Sequence, residues 1–277
     1  MSDDWNGWVG VGQLASSAKC SRAIFNIIQQ YKVDKKVDLK RNLDIPYVER
    51  EYDSDQIMGK IAEDVLQHIM SGNTSEEIIQ KGQDMLKWIK STRFRIFVAD
   101  NSSSVKLCDL DFPWATNDYN FVGETRWKEG DFIRLIKICE NWNIQAIANK
   151  FDDLLWFSEY KIRVNFQLPD GDFLPISGRM DLRSKCEEKP SIIEIKTTDR
   201  RTLPSAFHQV EIYVVMEQIM NSITPDAYVF HENELIPQKK KRIVEILETA
   251  NYDIFDSSLS NCRFCESKSS CEEARLS

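Results

Sequence analysis

A mixed α/β fold (α+β) is predicted for this chain of 277 residues, because the spacing of its apolar residues changes along the sequence. Up to residue 149 apolar residues recur every three or four positions, which is typical of amphipathic helices. From Ser158 they alternate with polar residues, as in a half-buried strand. Three strands, a helix, a fourth strand and a final helix then follow, which is the order of a compact mixed core.

Helices dominate the first half of the chain. Their apolar residues recur at helical spacing, as Ile57, Ile61 and Val65 do in the second of them. The tryptophan-bearing segment 100–156 is interpreted as a helical insertion or cap, and its tryptophans as core residues more than as base-stacking ones. We predict helices at 12–31, 56–70, 75–90 and 131–149, and a strand at 93–98.

The second half of the chain predicts the sheet. After the strand that begins at Ser158, the dipeptide Asp170-Gly171 suits a turn with positive φ. The run 191–197 is apolar enough for a central strand, and Pro204 can open a helix because its missing N–H costs little there. The other predicted elements are strands at 174–182 and 227–230 and helices at 204–220 and 237–250.

A single domain is expected, with four parts. They are an N-terminal helical part (1–99), the insertion (100–156), the α/β core (157–252) and a cysteine-rich segment (253–277). No run of about 18 apolar residues and no secretory signal are visible, so we expect a cytoplasmic protein with reduced thiols and no membrane partner. The net charge of −8 argues weakly against a protein that coats nucleic acid, but it permits a local basic patch.

A carboxylate and lysine pattern marks the predicted sheet. Glu194 and Lys196 lie two residues apart in one strand, so their side chains share a face, and Asp181 ends the strand before it. The carboxylates are hard oxygen ligands for Mg²⁺ or Mn²⁺, and the lysine could stabilise charge on a phosphate. A buried ion cluster that only holds the strands together explains the same spacing equally well.

Three cysteines crowd the C-terminus. Cys262-x-x-Cys265 and Cys271 could bind one metal centre, but a fourth ligand must come from elsewhere. Zinc completed by His231, or an iron–sulfur cluster with a further cysteine, would satisfy the set. The other three cysteines outside the motif are interpreted as ordinary free thiols: Cys108, Cys139 and Cys186.

Three motifs in order resemble the PD-(D/E)xK nucleases, specifically their RecB-like branch. They are Gly178-x-x-Asp181, then Glu194-x-Lys196-Thr197, then Gln209-x-x-x-Tyr213. The resemblance implies a restriction-endonuclease-like core in which Asp181, Glu194 and Ile195 bind the metal. It also implies that Lys196 is catalytic, and that Gln209 and Tyr213 lie beside the metal on the next helix and help to hold DNA.

The same resemblance predicts a metal ligand on an earlier helix. The family places a histidine four residues after a glycine, and here Glu63 stands four residues after Gly59. A glutamate keeps a plausible ligand at this position. Asp64 and His68 are nearby alternatives, and His68 is better interpreted as a histidine on the helix surface.

The cysteine pattern resembles that of the CRISPR-associated Cas four nucleases and the AddB-type nucleases. These families place one cysteine before the nuclease core and three after it. By this resemblance Cys20, Cys262, Cys265 and Cys271 hold a four-iron, four-sulfur cluster that clasps the ends of the chain.

The function implied is a Mg²⁺- or Mn²⁺-dependent DNA exonuclease that acts on single strands or DNA ends. In the Cas four family this activity trims DNA for CRISPR spacer acquisition, with the integrase proteins as partners. A phage or host recombination nuclease of the same fold, an inactive DNA-binding scaffold and a zinc-binding structural module are the alternatives. Arg200-Arg201, and less so the basic run 239–242, are candidate phosphate contacts.

Overall fold

The computed structural model describes residues 8–18, 21–34, 54–91, 129–151, 155–196, 203–231, 234–239 and 242–249. Within these ranges the chain forms eight helices and six strands. The helices are α1 (Val11–Ser17), α2 (Ser21–Asp34), α3 (Ser54–Met70), α4 (Ser75–Ile89), α5 (Glu129–Asn141), α6 (Ile144–Lys150), α7 (Leu203–Asn221) and α8 (Arg242–Thr249). The strands are β1 (Val9–Gly10), β2 (Trp156–Gln167), β3 (Phe173–Ser184), β4 (Ser191–Lys196), β5 (Asp226–His231) and β6 (Glu234–Pro237).

The strands form one mixed sheet, so the predicted mixed α/β class is confirmed. Its order is β1-β3-β4-β5-β6, and β2 pairs with β3. The β2–β3 pair is a long antiparallel hairpin, and Gly171 in its turn has a φ of 89°, as the Asp-Gly dipeptide predicted. β4 lies between antiparallel β3 and parallel β5, which is the central position that its apolar sequence indicated.

β3 has two different neighbours along its second edge. Near its start β1 pairs with Ile176 and Ser177, and near its end β4 pairs with Leu182 and Arg183. Between these two pairings the ladder is interrupted over residues 178–181. The Gly178-x-x-Asp181 motif therefore lies at a gap in the sheet, where side chains can reach the backbone of β3.

Helices pack against the sheet in two apolar clusters. α3, α4, α5 and α6 share one cluster with β4 and β5, and α1, α2, α7 and α8 share the other with β2 and β3. Trp142 is buried in the first cluster, where its ring meets that of Phe230 edge to face at 6.3 Å. The described part of the segment 100–156 therefore belongs to the core, as the interpretation of its tryptophans predicted for Trp142.

Two predicted helices are each interrupted. The helix predicted at 12–31 is two helices, because α1 ends at the cap residue Ala18 and α2 begins at Ser21. The helix predicted at 131–149 breaks after Asn141, and the side chain of Asn143 accepts a hydrogen bond from the backbone N–H of Ala146 at 3.0 Å to cap α6. A capping residue can therefore start a new helix even where the helical spacing of apolar residues continues without a break.

The C-terminal region agrees with the prediction in part. The helix predicted from Pro237 to Ala250 is present as α8, which begins at Arg242, and the short strand β6 before it was not predicted. β6 pairs antiparallel with β5, and this pairing supplies its backbone hydrogen bonds. The sequence of β6 does not by itself indicate a strand. The strand predicted at 93–98 lies outside the described residues. No described helix combines the length and the apolar character needed to cross a membrane.

Candidate metal centre

Three carboxylates from three different elements converge at the gap in the sheet. Glu63 comes from α3, Glu159 from β2 and Asp181 from β3, and one oxygen of each lies within 4.8 Å of the others. We call this group the acidic cluster. Glu63 and Asp181 were predicted as metal ligands from the sequence, whereas Glu159 was not.

Glu159 combines a position opposite Asp181 with an unusual backbone conformation. The flanking pairs Ser158–Leu182 and Tyr160–Met180 place Glu159 directly across from Asp181, yet these two residues do not pair in the ladder. The φ of Glu159 is 54°, in the left-handed region that a residue with a Cβ atom rarely adopts within a strand. Such strain persists where surrounding structure enforces it, and it concentrates at functional sites.

The carboxylate of Glu159 is only partly satisfied. Its Oε1 accepts a hydrogen bond from Gln67 Nε2 at 3.3 Å. Its Oε2 lies 2.5 Å from Arg179 Nε, close enough for an ion pair, but the two groups are not aligned for a hydrogen bond. Oε2 is buried and has no hydrogen-bond partner among the described residues. Arg179 therefore offsets the charge of this oxygen, while its hydrogen-bonding capacity stays unused.

Asp181 and Lys196 connect the acidic cluster to β4. Asp181 Oδ2 accepts the backbone N–H of Ile195 at 2.7 Å. This side chain therefore supplies a hydrogen bond between β3 and β4 just beyond the last backbone pair of these two strands. Lys196 Nζ donates to Glu194 Oε1 at 2.6 Å and to the carbonyl oxygen of Ile195 at 3.1 Å. Glu194 and Lys196 thus share one face, as their spacing predicted.

Negative charge exceeds positive charge at this centre. Burial, followed by the charge of Asp181, raises the pKa of Glu194 to about 7, although Lys196 acts in the opposite direction. Burial lowers the pKa of Lys196, but the charges of Glu194, Asp181 and Glu63 outweigh it and leave that pKa above its usual range. Among the described residues, Lys196 pairs with Glu194 and Arg179 pairs with Glu159, so these two cations lie beside four carboxylates, those of Glu63, Glu159, Asp181 and Glu194.

Tyr213 fills the gap in the sheet. Its hydroxyl accepts the backbone N–H of Arg179 at 3.3 Å and donates to the carbonyl oxygen of the same residue at 2.8 Å, as a neighbouring strand would. Burial, then the charges of Glu194 and Asp181, raises the pKa of Tyr213 well above its usual value. A Cβ atom on Gly178 would lie 2.5 Å from the Tyr213 ring and 2.7 Å from the side chain of Val11. The glycine of the motif therefore permits the close approach of α7.

A buried ion pair fixes α7 against β3 one turn further along. Arg183 donates from Nε and Nη2 to the two carboxylate oxygens of Glu217, at 2.6 and 3.2 Å. Glu217 is fully buried, and it lies four residues after Tyr213 on the same helix face. This double contact holds the helix in register, so Tyr213 reaches the gap.

Gln209 lies one turn before Tyr213, beside α1. Its Nε2 is 3.5 Å from the position that a Cβ atom on Gly12 would occupy, and its Oε1 is buried without a hydrogen-bond partner among the described residues. The predicted Gln-x-x-x-Tyr motif thus spans the space between the acidic cluster and the start of α1. Tyr213 contacts the backbone next to the cluster, whereas Gln209 lies further out.

The remaining predicted residues are placed as follows. His68 is half-buried near the end of α3 and is not part of the acidic cluster, and burial, with a smaller effect of Lys81, lowers its pKa to about 4. His231 is buried and pairs with Lys196 in the β4–β5 ladder. Cys139 is a buried free thiol and Cys186 a partly exposed one, as predicted. The residues proposed for the iron–sulfur cluster, together with Cys108, Arg200, Arg201 and the side chain of Asp64, lie outside the described part of the chain.

The donor set fits a hard divalent cation. Carboxylate oxygens are the ligands that Mg²⁺ and Mn²⁺ prefer, and the cluster offers three of them around one point. The excess of carboxylates over the two neighbouring cations, Lys196 and Arg179, among the described residues indicates that a divalent cation would stabilise the arrangement. The sequence did not identify Glu159 as a metal ligand, because its place in the acidic cluster depends on the register of β2 against β3.

No protein-family model matches this chain, and no curated protein matches it. Among solved structures, the chain is similar to one described as the crystal structure of SSO0001, with 17% sequence identity and a TM-score of 0.28. The match covers 42% of this chain and spans 60% of the length of that one. The chemistry of the acidic cluster is therefore inferred from its own residues.

Proposed function

We propose that this chain is a metal-dependent DNA nuclease with a PD-(D/E)xK core of the RecB-like type. The observation that carries the proposal is the convergence of Glu63, Glu159 and Asp181 beside the Glu194–Lys196 pair. A structural ion cluster would balance its charges, whereas this one has four carboxylates beside two cations, Lys196 and Arg179, among the described residues. The surplus favours a centre that binds a divalent cation over one that only holds strands together.

Different residues of the chain have different proposed roles in phosphodiester hydrolysis. Glu63, Glu159, Asp181 and Glu194 would hold Mg²⁺ or Mn²⁺, and the carbonyl oxygen of Ile195, which accepts a hydrogen bond from Lys196 Nζ, is a further proposed ligand. When bound, the ion polarises the scissile phosphate and activates water for attack. Asp181 orients β4 by accepting the N–H of Ile195, which keeps the lysine strand beside the carboxylates.

Lys196 is the residue that we assign to charge stabilisation. Its ammonium group is held 2.6 Å from Glu194 and remains partly accessible, so a phosphate could approach it. The neighbouring carboxylates keep it protonated, because they raise its pKa. A fixed cation of this kind can stabilise the charge that develops on the phosphate or orient the attacking water.

The finer parts of the proposal come from the sequence motifs. We propose that Cys20, Cys262, Cys265 and Cys271 hold a four-iron, four-sulfur cluster that joins the two ends of the chain. We further propose exonuclease action on single strands or DNA ends, and a role in CRISPR spacer acquisition with integrase proteins as partners. The motif order supports these assignments, and a recombination nuclease of the same fold is the alternative role.

A cleavage assay tests the nuclease proposal. Purified protein should degrade labelled single-stranded DNA in Mg²⁺ or Mn²⁺ and should stop when a chelator is added. Asp181→Asn, which keeps an oxygen to accept the N–H of Ile195, should abolish cleavage while the protein stays folded. The matched control is Glu188→Gln, which removes an exposed carboxylate in the turn between β3 and β4. Undiminished cleavage by Asp181→Asn, or cleavage in chelator, would overturn the proposal.

A further inference from the structure

The two carboxylate oxygens of Glu159 have two different neighbours. Oε1 accepts a hydrogen bond from Gln67 Nε2 at 3.3 Å. Oε2 lies 2.5 Å from Arg179 Nε in an ion pair that is not aligned as a hydrogen bond. Because Glu159 belongs to the acidic cluster, a cation held there would bind a carboxylate that already has these two contacts.

Gln67 is held in place by α3. It is only 4% exposed, and it lies four residues after Glu63 on this helix, so the two side chains share a face. A carboxylate can only accept hydrogen bonds, so the amide of Gln67 has to donate to it. One helix therefore provides both a proposed metal ligand, Glu63, and the residue that contacts a second one, Glu159.

The contact with Gln67 orients Glu159 without cancelling its charge. An amide is neutral, and a single hydrogen bond leaves the carboxylate its negative charge and further lone pairs for a cation. Carboxylates that bind metals are commonly held by a neighbouring hydrogen bond of this kind. The left-handed backbone of Glu159, with a φ of 54°, also persists only where surrounding contacts enforce it, and Gln67 supplies one of them.

Arg179 has the opposite effect on the same carboxylate. Its guanidinium carries a permanent positive charge, which offsets the charge of Glu159 Oε2. The Arg179 side chain is 53% exposed, so it can turn away into solvent, whereas Gln67 is enclosed by the core. An ion pair with an exposed partner contributes little to stability, so a divalent cation could replace Arg179 beside Glu159 at a small cost.

We propose that Gln67 and Arg179 set the cation affinity of the acidic cluster in opposite directions, both through Glu159. Gln67 is a positioning residue that keeps the carboxylate in the orientation that a cation needs. Arg179 competes with the cation for that carboxylate and turns into solvent when the cation binds. The inference rests on the proposed function, because it takes the acidic cluster as the metal centre, and it adds how binding of the metal is regulated there.

Calorimetric titration with Mn²⁺ in the absence of DNA tests this inference. Gln67→Met removes the donor at similar volume and should weaken Mn²⁺ binding by roughly ten- to a hundredfold, the range for partners of metal ligands. Arg179→Gln should tighten it by roughly two- to fivefold, the scale of an exposed ion pair. The matched control is Lys189→Gln, which removes an exposed cation paired with Asp226 and should leave Mn²⁺ affinity unchanged.

A second background separates positioning from a merely structural role. If Gln67 and Arg179 act through Glu159, both substitutions should lose their effect on Mn²⁺ affinity in a Glu159→Ala protein. A general loss of stability would instead weaken binding by the same factor in both backgrounds. Should Gln67→Met fail to fold, Gln67→Asn takes its place, because its amide is one methylene shorter and should not reach Glu159.

Unchanged Mn²⁺ affinity in the Gln67 variants or in Arg179→Gln would overturn the inference. So would weaker binding in Arg179→Gln, or effects of equal size in the Glu159→Ala background. Failure of the nuclease proposal has a different signature, namely Mn²⁺ binding that responds to both residues as expected in a protein that cleaves no DNA.

Discussion

Glu159 lies across the β2–β3 hairpin from Asp181, and a carboxylate oxygen of each lies within 4.8 Å of the other. The backbone of Glu159 is left-handed, with a φ of 54°, and neither residue pairs in the ladder that joins their neighbours. Two like charges at such a distance repel unless a cation or a proton separates them. Arg179 offsets part of this repulsion, metal binding would relieve the rest, and Glu159 is therefore an informative position to change.

Glu159→Gln should reduce metal-dependent cleavage by roughly a hundredfold or more, the scale of losing one preorganised charged group. The substitution keeps the contact with Gln67, because the amide retains an oxygen. It removes the repulsion from Asp181 and also the ion pair with the exposed Arg179, so the denaturant midpoint of the metal-free protein should change little. Single-turnover rates in Mn²⁺ and denaturant melts check both parts. A clear loss of metal-free stability would mean that the charge of Glu159 is structural.

Lys196→Met separates a catalytic from a structural role of the lysine. If Lys196 only balances Glu194 and Asp181, its loss leaves unpaired buried carboxylates and the melting temperature should fall clearly. We expect the other result, because a bound cation can still neutralise the carboxylates. The rate in Mg²⁺ should fall by roughly two or more powers of ten with little change in melting temperature. A folded variant with a near-normal rate would contradict the assignment.

The pH dependence of stability should report on Glu194. Burial and Asp181 raise its pKa from the ordinary 4.5 to about 7, so the folded state holds a proton that the unfolded state releases. Its contribution to stability is therefore complete below pH 4.5 and is lost as the pH rises through about 7, by a few kcal/mol at most. Denaturant melts of metal-free protein should show this decline, and saturating Mg²⁺ should reduce it. Glu194→Gln should lack it, and a decline of equal size in that variant would assign the effect to other groups.

Tyr213→Phe should cost about 1–3 kcal/mol of unfolding free energy, because the backbone N–H and carbonyl of Arg179 both lose their partner. The ring itself stays, so packing against Gly178 is unchanged. Chemical denaturation is the measurement. Tyr160→Phe is the matched control, since the contacts found for Tyr160 join its ring to Arg183 and to Phe157, and phenylalanine preserves both. Equal costs for the two variants would show that the gap in the ladder does not depend on the Tyr213 hydroxyl.

The proposed iron–sulfur cluster makes a prediction of its own. Protein purified without oxygen should be brown, with the broad visible absorption of cysteine-ligated iron, and should contain iron and sulfide. Cys262→Ala should bleach the protein and lower its stability, because the cluster would join distant segments. Cys139→Ala is the control, as Cys139 is a buried free thiol in the core. Colourless protein with stoichiometric zinc would contradict the cluster and favour the zinc alternative.

Much of the fold could be predicted because its signals are local. Alternating apolar residues predicted the β2–β3 hairpin, and the continuous apolar run of β4 indicated its central place. The same holds for Glu194 and Lys196, whose shared face follows from strand geometry alone. The two interrupted helices were missed because a cap such as Asn143 acts over three residues and leaves the wider apolar pattern unchanged. β6 was missed because a short edge strand is stabilised by its partner and not by its own sequence.

By itself, then, the sequence determined the mixed α/β class, the order of the main elements and the motif residues Asp181, Glu194 and Lys196. Tertiary structure decided which acid completes the cluster. Glu159 is in sequence one more polar residue of an alternating strand, and only the hairpin register brings it opposite Asp181. The cleft lined by Gly10, Lys161, Arg179 and Tyr213 likewise combines residues that are distant in sequence, because α1, β2, β3 and α7 meet at one gap in the ladder. Sequence spacing encodes contacts within an element, whereas contacts between elements depend on how the elements pack.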